Sequence, residues 1–262
     1  MAVIAATRLP QPGMAWVILA HLLLPLLAWL ATRATQGGIG AVLRGVYPVA
    51  ILLGLYGALD ILNGFGTAPV HDAAIQRLEA ALFGMQPARD WWRSASSPFW
   101  SRVMHSVYLS YYLVVPTPLV VMAIRRQWEA MTHYLDGLIA LFLCCYLFYI
   151  LWPVAGPYYE FARPTGAFVA NLPAELVYRG LARGSSFGAA FPSSHVAATL
   201  AAAIGGWHAD RRLGAILMIP AVLLAIGVVY CQMHYAVDSL AGVLIGISIP
   251  WSVHHLQRTT PA

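Results

Sequence analysis

Apolar positions along the chain gather into long uninterrupted runs, joined by short polar turns and by two long mixed stretches. A helix that crosses a bilayer needs about 20 mostly apolar residues. Seven runs meet or approach that length, at residues 14–32, 46–63, 103–124, 134–152, 195–208, 213–231 and 239–254, the fifth being the shortest. The pattern predicts an all-α fold: a polytopic membrane bundle of six to seven transmembrane helices. Between the second and third runs, residues 72–83 place Ile75, Leu78, Leu82 and Phe83 on one helical face and Gln76, Arg77 and Glu79 elsewhere, with Gly84 and Pro87 as stops. That is the pattern of an amphipathic helix lying in the interface. Trp91, Trp92, Phe99 and Trp100 alternate with Arg89, Arg93 and Arg102 and continue it as an aromatic and basic belt at headgroup level, read as an anchor ahead of a substrate grip.

Composition agrees with a membrane home. Of 262 residues, 60% are hydrophobic and 10% charged, against roughly a quarter charged in ordinary soluble domains. The first run follows Arg8 but exceeds the apolar core of a secretory signal, and no small-residue cleavage site follows, so it reads as a retained helix. With no internal repeat or low-complexity tract, residues 1–262 read as one membrane-embedded domain, its core over about 46–255 and its first helix, 14–32, peripheral. Cys144 and Cys145 are adjacent and Cys231 stands apart, a spacing that suits neither a disulfide framework nor a zinc site.

Every basic side chain except histidine is arginine, and the formal charge is +5. The arginines are scattered between the apolar runs, which argues for membrane topology and contact with anionic lipid and against nucleic acid as a partner. With seven spans, the short joints holding Arg33 and Arg44, Arg125 and Arg126, and Arg211 and Arg212 fall on one side with Arg258, which is therefore expected to be cytoplasmic. The long stretches 64–102 and 153–194 and the turn around His234 fall on the other side. An inner plasma membrane with the site on its non-cytoplasmic face is the expected location. The stretch 153–194 is long and rich in Gly and Pro, which suits a roof over a site.

Two polar motifs lie on that face. Pro192 and Ser193 mark a helix start, where the N–H groups of Ser194 and His195 and the helix dipole suit a phosphate oxygen, and His195 can hand a proton to a leaving group. His234 and Asp238 are one helical turn apart, so the carboxylate can orient the imidazole and stabilise its cation while the other ring nitrogen attacks. Arg163, before Pro164, offers a planar fork of donors for phosphate, and Arg179 and Arg183 are weaker candidates for the same role. Asp60 reads as functional or as a structural partner of Arg44 or a tyrosine. No cofactor or metal is expected: clustered Asp pairs for magnesium are missing.

Phe191-Pro-Ser-Ser-His195, followed by His234-Tyr-Ala-Val-Asp238-Ser-Leu-Ala-Gly242, resembles the type 2 phosphatidate phosphatase superfamily. More narrowly it is similar to the branch that contains inositol phosphorylceramide synthases, a likeness shared by Leu82-Phe-Gly-Met-Gln-Pro87 before the Trp pair. The resemblance implies metal-free transfer through a phosphohistidine, with His234 as nucleophile, His195 as acid and Asp238 as orienter. Arg163 and backbone amides would hold the phosphate oxygens. It also implies a lipid phosphate or phospholipid substrate and either water or a polyol acceptor such as inositol. The superfamily has a Lys seven residues before the Arg-Pro arginine and an Arg six before the nucleophile, where this chain has Gly156 and Val228. Either Arg179 or Arg183 compensates, or the headgroup chemistry differs. A haem- or quinone-binding helical protein is the main rival, though His195 and His208 lack an evident partner pair because His234 and His254 sit in separate segments. A transporter is the third reading.

Overall fold

The computed structural model describes residues 13–33, 51–52, 54–63, 66, 68–184 and 187–259. They belong to two compact units, Met1–Pro69 with Ser186–Gly188 and Val70–Ser185 with Ala189–Ala262. In the first unit, α1 (Met14–Arg33) is apolar throughout its first half and residues 54–62 are helical. Asp60 accepts a hydrogen bond from the Phe187 amide at 3.0 Å, and Asn63 donates to the Phe187 carbonyl at 2.8 Å, so the carboxylate has a structural task. Arg44, and part of the apolar run 46–63, lie outside the described residues.

The second unit is an all-α membrane bundle. Its helices are α2 (Asp72–Phe83), α3 (Pro87–Ser94), α4 (Pro98–Val114), α5 (Thr117–Ile124), α6 (Trp128–Leu151), α7 (Pro157–Glu160), α8 (Leu172–Gly184), α9 (Ser194–Ala209), α10 (Arg211–Tyr230) and α11 (Ala236–Thr259). Among the described residues four stretches are long and apolar enough to cross a membrane: Pro98–Ile124, Trp128–Leu151, Arg211–Tyr230 and Ala236–Gln257. The first begins five residues before the apolar run does, because Ser97 caps it and Pro98 occupies the first helical position. It is broken into α4 and α5 at Val115 and Pro116, where a proline ring cannot continue the backbone ladder.

The run at 195–208 is a different kind of element. α9 has 16 residues, and α6, α10 and α11 pack around it. Its alanines at 197, 198, 201, 202 and 203 are buried against protein, which explains why it is small-sided and short. A Cβ on Gly242 or Gly246 of α11 would stand 2.6 Å from the carbonyl oxygens of Ser193 and Ala197 of α9. Glycine at both positions lets the two backbones touch.

The two long mixed stretches carry their own helices. α2 ends at Gly84, whose φ of 67° is the left-handed cap. Leu78, Leu82 and Phe83 are exposed, as an interfacial helix requires. The inward side is the surprise: Asp72 and Glu79 are buried there, and Ile75 leaves the expected apolar face to join them. Pro87, expected only as a stop, opens α3 at its first position. The belt divides in the same way. Phe99 and Trp100 are exposed, whereas Trp92 packs on Phe168. The stretch 153–194, expected as a loop, contains α7, a 3-10 turn at Gly166–Phe168 and α8, which lies on α4. A parallel bridge between Val154 and Ala189 closes its ends.

Candidate active site

The first motif is shaped by Ser193, which has extended backbone and caps α9 through its side chain, accepting from the Val196 amide. Tyr149 of α6 donates to the Pro192 carbonyl at 2.8 Å and accepts from the Ser194 amide at 3.2 Å. The Ser193 amide donates to the Asp238 carbonyl at 3.0 Å, stitching the start of α9 to the start of α11. Of the two helix-start donors expected to cradle a phosphate, that of Ser194 is thus engaged by the protein itself, as is the neighbouring Val196 amide. Ser193 and Ser194 are both buried.

The second motif follows α10, where the Met233 and His234 amides both turn back to the Val228 carbonyl, at 2.8 and 3.0 Å. This turn puts His234 beside His195, the two ring centroids 6.0 Å apart. Nδ1 of His234 lies 2.9 Å from the Ala190 carbonyl and 3.5 Å from Asp238 Oδ2. A carbonyl oxygen only accepts, so Nδ1 carries the proton and the lone pair sits on Nε2. Asp238 is fully buried, and its Oδ2 accepts from the Tyr235 amide at 2.8 Å. The tautomer is therefore set first by a backbone carbonyl, with the carboxylate behind it. Burial holds the His234 imidazole down to about 4, against the pull of the Ala190 bond. It is neutral at pH 7.

His195 is contacted by two tyrosines of α4 that the sequence reading passed over. Tyr108 stacks on it with centroids 4.9 Å apart and places its hydroxyl 3.3 Å from Nε2, and the Tyr111 ring is 4.5 Å away. Tyr108 and Tyr111 stand one turn apart on α4, but apolar helices are full of such pairs.

Among the described residues, no hydrogen bond or ion pair joins Arg163 or Arg179 to the histidine pair. Arg163 is exposed, its guanidinium 4.1 Å above the Tyr158 ring. With Arg179, Tyr158 and Tyr178 it lines a cavity of about 410 Å³, in which Arg179 is ion-paired to Glu175. The side chain of Arg183 lies outside the described residues. The cavity is tied to the His234 turn by Gln232, whose φ of 57° is unusual for a residue with a side chain. That conformation is held by three bonds: from Trp92 Nε1 at 2.7 Å, and to the carbonyls of Pro157 and Ala162, both at 3.2 Å. Arg93 donates to the same Ala162 carbonyl at 3.1 Å. Trp92 and Arg93 thus serve the roof as well as the belt.

The two positions that lack the superfamily cations have structural duties here. Gly156 has a φ of 97°, and a Cβ on it would stand 2.9 Å from Ala190 Cβ. Its amide donates to Asp72 at 2.8 Å. Val228 is fully buried in the apolar core. Neither place has room for a charged side chain.

Asp72 and Glu79, on the inward side of α2, brace the second motif, and Asp72 holds the start of the roof as well. Asp72 also accepts from the Ala155 amide at 2.7 Å and the Tyr235 hydroxyl at 3.0 Å. Glu79 accepts from the amides of Ala236 and Val237, the first turn of α11. Its Oε2 has no partner among the described residues, and desolvation lifts the carboxyl to about 7. Their spacing of seven residues, with Ile75 between, was legible as a stripe, but polar side chains on an interfacial helix point by default to water.

The histidines that the sequence leaves unpaired do find each other. His208 of α9 lies 5.8 Å from His254 of α11, ring to ring, because the two helices run side by side. The model of the family described as the PAP2 superfamily matches residues 73–251, more than half of the chain. No curated protein and no solved structure matches it.

Proposed function

Because the chain belongs to the PAP2 superfamily, a family of phosphatase and phosphotransferase type acting on lipid-like substrates, we propose that it cleaves a lipid phosphate or phosphodiester through a covalent phosphohistidine. The single observation that carries this reading is the pair of imidazoles with centroids 6.0 Å apart, a gap suited to one phosphoryl group. Nε2 of His234 attacks phosphorus as the bond to the lipid oxygen breaks; His195, held neutral by burial, takes up a proton as the phosphate anion binds beside it and gives that proton to the departing oxygen. Water, or an alcohol, then attacks phosphorus, His195 takes its proton, and His234 leaves with its lone pair restored. Asp238 and the Ala190 carbonyl hold the ring in the attacking tautomer and balance its passing positive charge. Arg163 reaches the phosphate oxygens or the headgroup from the roof, with Arg179 beside it.

Transfer to a polyol is the finer reading, as in the branch with inositol phosphorylceramide synthases. It is supported by Gly156 and Val228: this chain has built backbone contacts and core where the plain phosphatases keep cations. We place the site on the non-cytoplasmic face of a plasma membrane, since the joints that hold Arg125, Arg126, Arg211 and Arg212 lie at the other ends of the bundle helices.

The test is a panel of lipid phosphates, diphosphates and phosphodiesters given to detergent-purified protein, with and without inositol. Release of phosphate marks hydrolysis and a new phosphodiester marks transfer. His234→Ala is expected to abolish both, and acid-labile radioactive phosphate is expected on the native chain and not on the variant. Full turnover by His234→Ala would defeat the proposal.

A further inference from the structure

At the opposite end of the bundle lies a second cavity, of about 550 Å³, within the ~300–1,000 Å³ usual for sites that enclose a ligand. It opens among the start of α6 and the ends of α9 and α11. His208, on its rim, is about 20 Å along α9 from His195 at ~1.5 Å per residue, so this space takes no part in the chemistry above. Its walls are apolar, built from residues such as Ile204, Ile247 and Trp251, and its rim carries His133, His208 and His254.

The three imidazoles form one row, with His254 5.4 Å from His133 and 5.8 Å from His208. His133 is bonded to Gln257 and lies 3.6 Å from Glu129, while Gln257 also donates to Asp136 at 2.7 Å. His208 Nδ1 is committed to the Ile204 carbonyl at 2.9 Å, which turns its Nε2 edge away from its own helix. The joints adjoining the cavity bear Arg125 and Arg126 before α6 and Arg211 and Arg212 at the start of α10; among the described residues Arg125 is paired with Asp210 at 2.9 Å and no ion pair joins the other three. Glu129 also lines the slot, but the four arginines of these joints outnumber it and Asp210, so a greasy slot with three imidazoles at its mouth and net positive charge beside it matches a molecule with an apolar tail and an anionic head. Arginine-bearing joints at a membrane surface meet such molecules in the adjoining leaflet.

We propose that this cavity is a non-catalytic binding site for one anionic phospholipid, its acyl chain along the Ile204, Ile247 and Trp251 wall and its phosphate at the histidine row. The inference does not rest on the phosphohistidine reading, and its test measures binding alone.

The full chain, purified in detergent, is titrated with phosphatidylglycerol or with phosphatidylcholine of the same acyl chains, and bound lipid is counted by native mass spectrometry. One phosphatidylglycerol per chain is expected, favoured at least tenfold over phosphatidylcholine. The double variant His208→Ala/His254→Ala is expected to lose that preference while keeping the native elution profile. Should the double variant fold poorly, Ala130→Trp, which fills the slot from a half-buried wall position without touching charge, is expected to lose the bound lipid. Equal binding of the two lipids overturns the proposal. So does retained preference in the variants, or a co-purifying quinone seen by its ultraviolet absorbance.

Discussion

His234 shows how little of a catalytic geometry is fixed by a pair of side chains. The four-residue spacing to Asp238 implies a carboxylate clamp, yet the closer acceptor is the Ala190 carbonyl, 2.9 Å against 3.5 Å. That carbonyl sits just before the other histidine motif, so one hydrogen bond orients the ring and ties the two motifs together. Tyr108 makes the matching contact on His195. Removing its hydroxyl deletes one hydrogen bond, worth ~0.5–1.5 kcal/mol, so Tyr108→Phe is expected to lower kcat up to about tenfold. The loss should grow with the basicity of the leaving group, because His195 matters most when the departing oxygen needs its proton. A series of aryl and alkyl phosphates reads this out; an equal loss across the series would make Tyr108 a packing residue only.

α2 and the seam between α9 and α11 act at the next scale up. Glu79 lends its carboxyl to the first turn of α11 from a fully buried position. Its folded-state value of about 7 stands above the ordinary 4.5, so folding favours the protonated form. The stabilisation is complete below pH 4.5 and is lost as pH rises through 7, a change on the order of 3 kcal/mol by linkage. Glu79→Gln, which keeps the accepting oxygen and cannot ionise, should match the native melting temperature at pH 5 and exceed it at pH 8. Calorimetry or a thermal shift at the two pH values checks this. In the seam, Gly242→Ala drives a methyl group to 2.6 Å from the Ser193 carbonyl. The helices must part, carrying His195 from His234, and a misplacement near 1 Å costs roughly 100-fold in rate. Gly180→Ala in α8, with open space around it, should leave the rate unchanged.

At the scale of the bundle, the order of helices puts both histidine motifs at one end and the joints that hold Arg125, Arg126, Arg211 and Arg212 at the other. On the proposed sidedness, which puts the positive end in the cytoplasm, an impermeant maleimide added to intact cells should label Thr165→Cys in the roof and spare Glu129→Cys at the foot of α6 until the membrane is opened. Both positions are exposed, and the reverse pattern would invert the assigned sidedness. The fold class was legible from apolar run length alone, because lipid forces every backbone polar group into helices. The count of spans was less so. α9 carries a span-like run but lies inside protein, and a run of alanine reads the same in either setting.

The sequence by itself determined the all-α membrane class, the two histidine motifs and the family, since these are local: run length, a Pro-Ser helix start and a one-turn His–Asp spacing each declare themselves within a few residues. Only the tertiary structure decided which way α2 turns its acids, what occupies the places of the missing cations, and which tyrosines and carbonyls hold the imidazoles. Those contacts join residues far apart in the chain, among them Asp72 with Tyr235, Glu79 with Ala236 and Tyr108 with His195. Each side chain taken singly is an ordinary polar residue near a membrane surface; burial beside a particular partner is what gives it a task.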